Sequence, residues 1–523
     1  MFKVTPDRSV PLYGVEATRR LEQLWQPRLP PHTLMRRAGL ATARLALALA
    51  PHATRIWIAC GPGNNGGDGF EAALQLHLMG KRVHLTWTLR DQDAASCPAD
   101  ARDARERALN AGLTVQDAPP EHFDLSIDAL LGIGGTLSPT RAGGSVMIDW
   151  LQRMHGSGAP VLCIDLPTGL DADTGVASDG AMPLETTARR RPGKAPNRFT
   201  LSLLTLKPGL FTANGRDLAG EVWWDDLGAA APDTLEQSAT LAGMDRFAGY
   251  GATRAHASHK GSFGDVAVLG GEMARSIPGA SMGGAALLAA RAALHAGAGR
   301  VFVAMLGEAD GPDEVAAGFS LDPVQPELMF RSPAALDLHR QVLVCGCGGG
   351  EAIARHLPDI LEKAPRVVLD ADALNAVAAD ASLRRLLQAR SGRGFMTVMT
   401  PHPLEAARLQ DSTVTQVQHD RLHAARQLSQ QYGAVVALKG SGTVLCGPGS
   451  NPWINSTGNA LLATAGTGDV LAGMVGAYLA AGDEPLVATA RAVYFHGKAA
   501  DDWALNKSGA PLTASILAGL ARP

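Results

Sequence analysis

The chain has no dominant charge of either sign. Lys and Arg number 47 against 50 Asp and Glu over 523 residues, a formal net charge of −3. That balance excludes the electrostatic footprint of a nucleic-acid or anionic-membrane binder. Cysteine is scarce: Cys60, Cys97, Cys163, Cys345, Cys347 and Cys446 are scattered, and Cys345-Gly346-Cys347 has no second Cys/His pair at zinc spacing. Buried, reduced thiols are expected, not a disulfide framework or a zinc site. No uncharged apolar run reaches the ~20 residues that a membrane span needs. The opening Met1-Phe2-Lys3-Val4-Thr5-Pro6-Asp7 lacks the apolar core of a secretory signal. These absences predict a cytoplasmic chain with no nucleic-acid or membrane partner. The single strongly basic run, Arg189-Arg190-Arg191-Pro192-Gly193-Lys194, is short, lacks aromatics and reads as an exposed loop.

Hydrophobic residues make up 46% of the chain and glycine is abundant, with 59 copies. A chain of this length divides into at least two domains. Two glycine-rich segments stand out. Gly61-Pro62-Gly63-Asn64-Asn65-Gly66-Gly67-Asp68-Gly69 follows the apolar run Ile56–Cys60, and Thr464-Ala465-Gly466-Thr467-Gly468-Asp469 opens an apolar stretch near the C-terminus. Glycines of this kind let backbone N–H groups approach phosphate, and a following helix N-terminus favours negative charge. Two such segments suggest two sites for phosphate-bearing ligands.

Strand and helix patterns alternate in both halves, which implies parallel sheets covered on both faces. In the first half, runs at 56–60, 82–87, 125–130 and 161–165 read as strands, and 70–79 and 101–111 as helices. Asp128 and Asp165 each end a strand, at the sheet edge where ligands of open α/β folds bind. Residues 229–240 read as a linker between domains at 1–228 and 241–523. In the second half, 266–269, 301–304, 342–344, 367–370 and 435–438 read as strands, and 285–295 and 461–479 as helices.

The C-terminal motif combines backbone donors with a carboxylate: the amides can hold a phosphoryl group while Asp469 takes a proton from an attacking hydroxyl. The plainer reading makes Asp469 a helix N-cap. Three strand ends accompany it: Lys439-Gly440-Ser441-Gly442-Thr443, Asp370-Ala371-Asp372, and Thr400-Pro401-His402-Pro403-Leu404-Glu405. For His402 the plainer reading is a satisfied turn histidine.

From about Lys260 onward the chain resembles the ribokinase-like family of ADP- or ATP-dependent NAD(P)H-hydrate dehydratases. The runs that carry the resemblance are Lys260–Val266, Gly297-Ala298-Gly299, Asp370–Asn375, Thr400–Glu405, Lys439–Thr443 and Gly466–Gly473. The N-terminal half resembles the NAD(P)H-hydrate epimerase domain through Leu34–Gly39, Gly61–Gly69, Asp128–Gly132, Asp165–Asp171 and Leu206-Lys207-Pro208-Gly209. The resemblance implies a Rossmann-like three-layer α/β domain followed by a ribokinase-like α/β domain. It also implies repair of hydrated NADH and NADPH: interconversion of the R and S hydrates, then nucleotide-driven dehydration of the S form.

Carried over residue by residue, the family's pattern makes Asp165 the epimerase acid/base and Asp469 the base of dehydration. Asn64, Asn65, Gly66, Gly67, Asp68, Gly132, Ile133, Gly134, Gly135, Thr136, Leu137, Ser138 and Asp165 would contact hydrate in the first domain. Asn65, Asp128 and Thr168 would hold K+. In the second domain Ala285, Gly348, His402 and Asp469 would contact hydrate, and Lys439, Gly440, Ser441, Gly442, Thr443 and Gly468 the nucleotide, ADP with Mg2+. A homo-oligomer is expected as well. The sequence also departs from the family pattern. Gln325 stands where Arg is common, Arg36 where Glu is frequent, and Gly346-Cys347-Gly348 where Gly-Pro-Gly is usual. Two other readings remain open at this level. One is a ribokinase-type kinase whose product is a stable phosphoester. The other makes the first half a non-catalytic binding and dimerisation module, against which the joint presence of Asn65, Asp128 and Asp165 argues.

Overall fold

The computed structural model describes residues 1–141, 143–182, 198–251, 255–273, 282–307, 321–507 and 509–521. The basic run at 189–194 lies outside them. The chain forms two compact units, one comprising residues 1–5 and 10–240 and the other residues 6–9 and 241–523. Residues 229–238 contain no helix or strand, whereas 239–242 form a short strand inside the end of the expected linker.

The first unit is built on a sheet with strands in the spatial order Phe2–Lys3, Glu221–Asp225, Arg198–Leu203, Val161–Ile164, Leu125–Ala129, Arg55–Cys60, Arg82–Trp87 and Val115–Gln116. All pairings are parallel except the first. Alternating side chains of the central Arg55–Cys60 strand feed two cores. Ile56, Ile58 and Cys60 pack with Met35, Ala43, Phe70 and Ala73 on one face. Trp57 and Ala59 pack with Trp150, Leu151 and Met154 on the other. The result is a three-layer, Rossmann-like sandwich, as expected.

Strand order reverses direction beside Arg55–Cys60. The chain first runs outward through Arg82–Trp87 to Val115–Gln116, then returns to place Leu125–Ala129 on the opposite side. This switch point opens a crevice at the strands' C-terminal ends. A Cβ at Gly61 would lie 1.7 Å from the Leu130 carbonyl oxygen, so only glycine fits where the two strand ends meet.

The second unit's sheet runs Met329–Phe330, Arg300–Gly307, Asp265–Met273, Val342–Cys345, Arg366–Leu369, Met396–Met399, Val435–Leu438, Val444–Cys446 and Trp453–Asn455. Its pairings are parallel up to Val435–Leu438 and antiparallel for the last two. The sequence pattern suggested one helix over 461–479. Instead a single turn at Ala460–Leu462 precedes a break, and the helix proper spans Thr467–Ala480 with Gly466 as its N-cap at φ +89°. That left-handed cap suits glycine and ends the preceding segment. The helix is apolar all round, and Val470 through Ala480 are buried.

Its neighbour Gly283–His295 approaches to backbone contact. A Cβ on Gly473 would sit 2.0 Å from the Ala289 carbonyl oxygen. Gly473→Ala is therefore expected to destabilise the unit by about 1–3 kcal/mol, because overpacking outweighs the ~1 kcal/mol helix gain of alanine. Gly519→Ala, in helix Ala514–Leu520 with no atom within 4 Å of the new methyl, should be neutral or stabilising. Urea unfolding midpoints check both, and equal shifts for the two variants would refute the close-approach argument.

Candidate active sites

In the first unit the switch-point crevice is a cavity of about 670 Å³. Its walls bring together residues from four separated stretches of sequence. Asn64, Asn65 and Asp68 come from the first glycine loop and its helix, Gly132, Ile133, Gly134 and Gly135 from the loop after Leu125–Ala129, Asp165 from the next strand end, and Lys207 from a later turn. Gly66 and Gly67 pack behind this wall. Cβ atoms there would meet the Gly61 carbonyl at 2.0 Å and the Met35 methyl at 2.6 Å. The far end of the Gly132 loop turns away from the cavity: Leu137 is buried in the core, and the Ser138 hydroxyl bonds Thr140 at 2.9 Å. Thr136, Leu137 and Ser138 are not among the lining residues.

Asp165 follows the Val161–Ile164 strand with φ +65°, a conformation costly for a residue with a Cβ. The turn points its carboxylate back toward the sheet. Oδ1 accepts the Leu203 N–H at 3.1 Å and pairs with the Lys207 ammonium. Lys207 is wholly buried, and its remaining protons go to the Leu203 carbonyl at 2.7 Å and the Ser202 hydroxyl at 3.4 Å. The candidate acid/base is thus fixed in place by a buried cation.

Beside it, Asp128 is buried at its strand end. Its Oδ1 accepts from the Thr168 hydroxyl at 2.7 Å and the Leu130 N–H at 3.2 Å, and its Oδ2 accepts from the Thr168 N–H at 3.0 Å. Burial raises its pKa, opposed by those hydrogen bonds. The Thr168 oxygen also accepts the Leu131 N–H at 2.9 Å. Among the described residues the buried Asn65 amide has no hydrogen-bond partner for either its nitrogen or its oxygen, and it faces Gly132. Leaving such a group unsatisfied is costly, which marks a place for a ligand.

Charged residues that motif reading overlooked also line this cavity, among them Arg19, Glu22 and Asp100. The Arg19 guanidinium lies where a Cβ on Gly134 would come within 2.3 Å of it, putting a cation against the Gly132–Gly135 backbone. Glu22 is raised by burial and by the charges of Asp100 and Asp165. Asp68 is pushed well above the usual carboxylate range by burial and by Asp165 and Glu22.

In the second unit, the Thr467–Ala480 helix places Asp469 in its first turn with Gly466 as the cap and no side-chain cap bond. This overturns the N-cap reading and leaves the carboxylate available. Burial and the Asp370 charge raise its pKa to about 6. Asp370, buried at the end of Arg366–Leu369, accepts from the Lys439 ammonium and from the Thr400 hydroxyl, both at 2.7 Å. A Cβ on Gly468 would stand 3.3 Å from the Lys439 nitrogen. Lys439 therefore points into the carboxylate group rather than outward along its glycine turn.

The turn Gly440–Thr443 is braced from below by Arg421, which donates to the Leu438 and Lys439 carbonyls at 3.0 and 3.2 Å. The Thr443 hydroxyl bonds the Gly440 carbonyl at 3.3 Å. Gly348 packs against Ala285, where an added Cβ would come within 2.9 Å, and the adjoining Cys347 thiol hydrogen-bonds Asp469.

His402 caps helix Pro403–Leu409. Its Nδ1 accepts the Leu404 and Glu405 N–H groups at 3.1 and 3.2 Å, while Glu405 accepts the His402 N–H at 2.8 Å. The ring therefore carries its proton on Nε2. Burial and Lys439 lower its pKa, and burial lifts Glu405 to about 7.

Residues 31–209 match the family model described as YjeF-related protein N-terminus, and 276–521 match that described as NAD(P)H-hydrate dehydratase. The bifunctional NAD(P)H-hydrate repair enzyme Nnr of Escherichia coli is 34% identical over 485 residues, covering 90% of this chain and 85% of that protein. The chain belongs to the bifunctional NAD(P)H-hydrate repair enzyme family. The ADP-dependent (S)-NAD(P)H-hydrate dehydratase of Neisseria meningitidis is 42% identical over 276 residues, 52% of this chain and 86% of that one. A crystal structure of the ADP/ATP-dependent NAD(P)H-hydrate dehydratase from Bacillus subtilis, grown with ATP and Mg2+, is 30% identical with a TM-score of 0.42. It covers 51% of this chain and 91% of that one. The Escherichia coli and Neisseria meningitidis relatives favour the repair reading over a stand-alone small-molecule kinase or a non-catalytic N-terminal module.

The buried Lys207–Asp165 pair generates a stability test. Lys207→Met should cost about 3–5 kcal/mol by stranding the Asp165 carboxylate. Adding Asp165→Asn should restore part of that loss. A double mutant as unstable as the sum of the two single changes in thermal unfolding would show that the two side chains are not coupled.

Proposed function

We propose that this chain repairs hydrated NADH and NADPH. Its first unit interconverts the R and S hydrates at Asp165, and its second dehydrates the S form at Asp469 at the expense of ADP. The observation that carries the reading is Asp469, an uncapped carboxylate in the first turn of a glycine-entered helix, flanked by the Lys439–Asp370 pair.

The chemistry follows from those residues. Hydroxide is a poor leaving group, so the ring hydroxyl must first be activated. Asp469 takes the hydroxyl proton as the ring oxygen attacks the terminal phosphorus of the nucleotide, and the bond from that phosphorus to its bridging oxygen breaks. The amides of 466–468 face the developing anion. In the second stage the ring carbon–oxygen bond breaks, phosphate departs with that bond's electron pair, and the neighbouring carbon gives up a proton to solvent as its C–H pair restores the double bond. Gly440–Thr443 offer backbone and hydroxyl donors to the nucleotide's phosphates, and Lys439 adds charge from beneath. Mg2+ accompanies the nucleotide. Ala285, Gly348 and His402 border the hydrate.

In the first unit the cavity takes the hydrate's pyrophosphate against Asn64–Asp68 and the Gly132–Gly135 amides, with Arg19 supplying charge. The residues fit K+: the orphaned Asn65 oxygen, the Asp128 carboxylate and the Thr168 hydroxyl are hard oxygen donors. Bound there, K+ would supply positive charge beside the phosphates. Asp165, held by Lys207, moves a proton at the reacting carbon. A cytoplasmic setting fits the six free, buried cysteines, and a homo-oligomer belongs to the same reading.

The test uses an R/S mixture of hydrated NADH with ADP, followed by absorbance of the reduced nicotinamide and chiral separation of what remains. Asp469→Asn should lower dehydration by ~10²–10⁴ and leave epimerisation intact. Asp165→Ala should consume the S fraction and stall on R. Equal consumption of both epimers by Asp165→Ala, or near-normal dehydration by Asp469→Asn, refutes the assignment.

The pH dependence follows from the raised Asp469 pKa of about 6. Its basic form predominates above that value, so dehydration of pure S hydrate should rise as pH increases through about 6 and then level off. A rate that is flat from pH 5 to 7 would remove Asp469 as the base.

A further inference from the structure

At the proposed dehydration centre, Asp469 shares a donor set with two groups to which the reaction assigns no proton transfer, Cys347 and Asp370. Cys347 is fully buried in the loop after the Val342–Cys345 strand. Its sulfur, an Asp370 carboxylate oxygen and an Asp469 carboxylate oxygen all lie within 4.8 Å of one another. Three elements thus aim one soft and two hard donors at a common point.

We propose that Cys347, Asp370 and Asp469 form a binding site for a thiophilic divalent cation of the Zn2+ or Cd2+ class, and that occupancy switches dehydration off. The inhibitory part rests on the proposed role of Asp469, whereas the binding part does not. A tetrahedral zinc ion with sulfur at about 2.3 Å and oxygens at about 2.0–2.2 Å needs ligand atoms about 3–4 Å apart. Carboxylate rotation closes that gap without moving a strand.

The ammonium of Lys439 holds Oδ1 of Asp370, so the cation takes Oδ2, which lies toward Gly468. Asp469 is the partly exposed member of the trio, and entry is from its side. Binding exchanges the thiol proton for a metal–sulfur bond and releases that proton to solvent, with no oxidant or reductant involved. Sulfur ligation selects against Mg2+, which prefers oxygen donors and retained water, so the nucleotide's own cation does not fill the site. A cation bridging Cys347 and Asp469 removes the lone pair that Asp469 would offer the ring hydroxyl.

The experiment titrates the full-length protein with Cd2+ and follows the ultraviolet charge-transfer band of a cadmium–thiolate bond, in parallel with dehydration of pure S hydrate. Wild type should show one equivalent of the band and lose activity in step with it. Chelator should restore the activity. Cys347→Ala should lose the band, bind at least about 10–100-fold more weakly, and keep whatever rate it has without metal when the metal is added. Cys347→Ser, nearly the same size, guards against a packing artefact and should behave likewise. The same band in either variant, or no band in wild type, overturns the site. Band formation without inhibition overturns the switch. If the wild type proves inactive on hydrate, the band alone still decides the metal site, so failure of the functional reading is separable.

Discussion

Both units depend on backbone brought closer to backbone than any side chain permits. At the sheet's reversal point the Gly61 main chain meets the Leu130 carbonyl, and that contact lets two strand ends and their loops share one crevice. In the second unit Gly473 lets the helix carrying Asp469 lie on the Ala289 backbone, which fixes the depth at which the catalytic turn emerges. These approaches exclude Cβ atoms. The glycines that cluster around the sites leave backbone amides uncovered, as a ligand bound through amides requires.

Once carboxylates are brought into such places, the protein must decide their charge. The two sites resolve that problem in opposite ways. Asp165 receives a wholly buried ammonium and a backbone N–H, so its position is fixed. Asp469 receives no such partner. The nearby ammonium is hydrogen-bonded to Asp370, and at Asp469 burial and that like charge outweigh the Cys347 thiol hydrogen bond and the attraction of Lys439. A base whose pKa lies near the working pH is what proton abstraction from a hydroxyl requires. The Lys439–Asp370 pair thus has an indirect effect: it withholds a cation from Asp469 while keeping one close to the phosphoryl group.

Much of the architecture was legible in the chain. Strand–turn–helix alternation marked the two parallel sheets, and the strand-end positions of Asp128, Asp165, Asp370 and Lys439 placed them at ligand-bearing edges. The misses have a common cause. Lys207 looked like part of a turn motif, and its burial under Asp165 depends on a pairing 42 residues apart in sequence. Arg19 and Glu22 belong to an amphipathic helix, Val15–Trp25, whose pattern announces a packed face but not that its other residues roof a cavity. Asp469 looked like a possible cap because the sequence cannot show that Gly466 already holds that position. His402, a hydrate contact implied by the family resemblance, also caps its own helix, and Glu405, which accepts its backbone N–H, sits three residues on in the sequence. The helix drawn from 461 failed at Gly466, where a left-handed φ breaks an otherwise continuous apolar pattern.

The difference between the two sites matches the thermodynamics of the two reactions. Interconverting epimers at one carbon forms no net bond and needs no energy input. A cavity that grips the phosphates and holds one acid/base group steady is sufficient, and the compensated, tightly tethered Asp165 suits it. Removing water from the ring is blocked by the leaving group, not by access to a base. That reaction needs a phosphoryl donor, a cation near the transferred group and a carboxylate basic enough to start the attack. In the second unit Asp469 stands beside a glycine-lined helix entrance with its pKa raised by burial and the Asp370 charge. The same exposure to charge that makes Asp469 basic also makes it, with Cys347 behind it, attractive to a soft cation. The vulnerability and the reactivity therefore come from one physical origin.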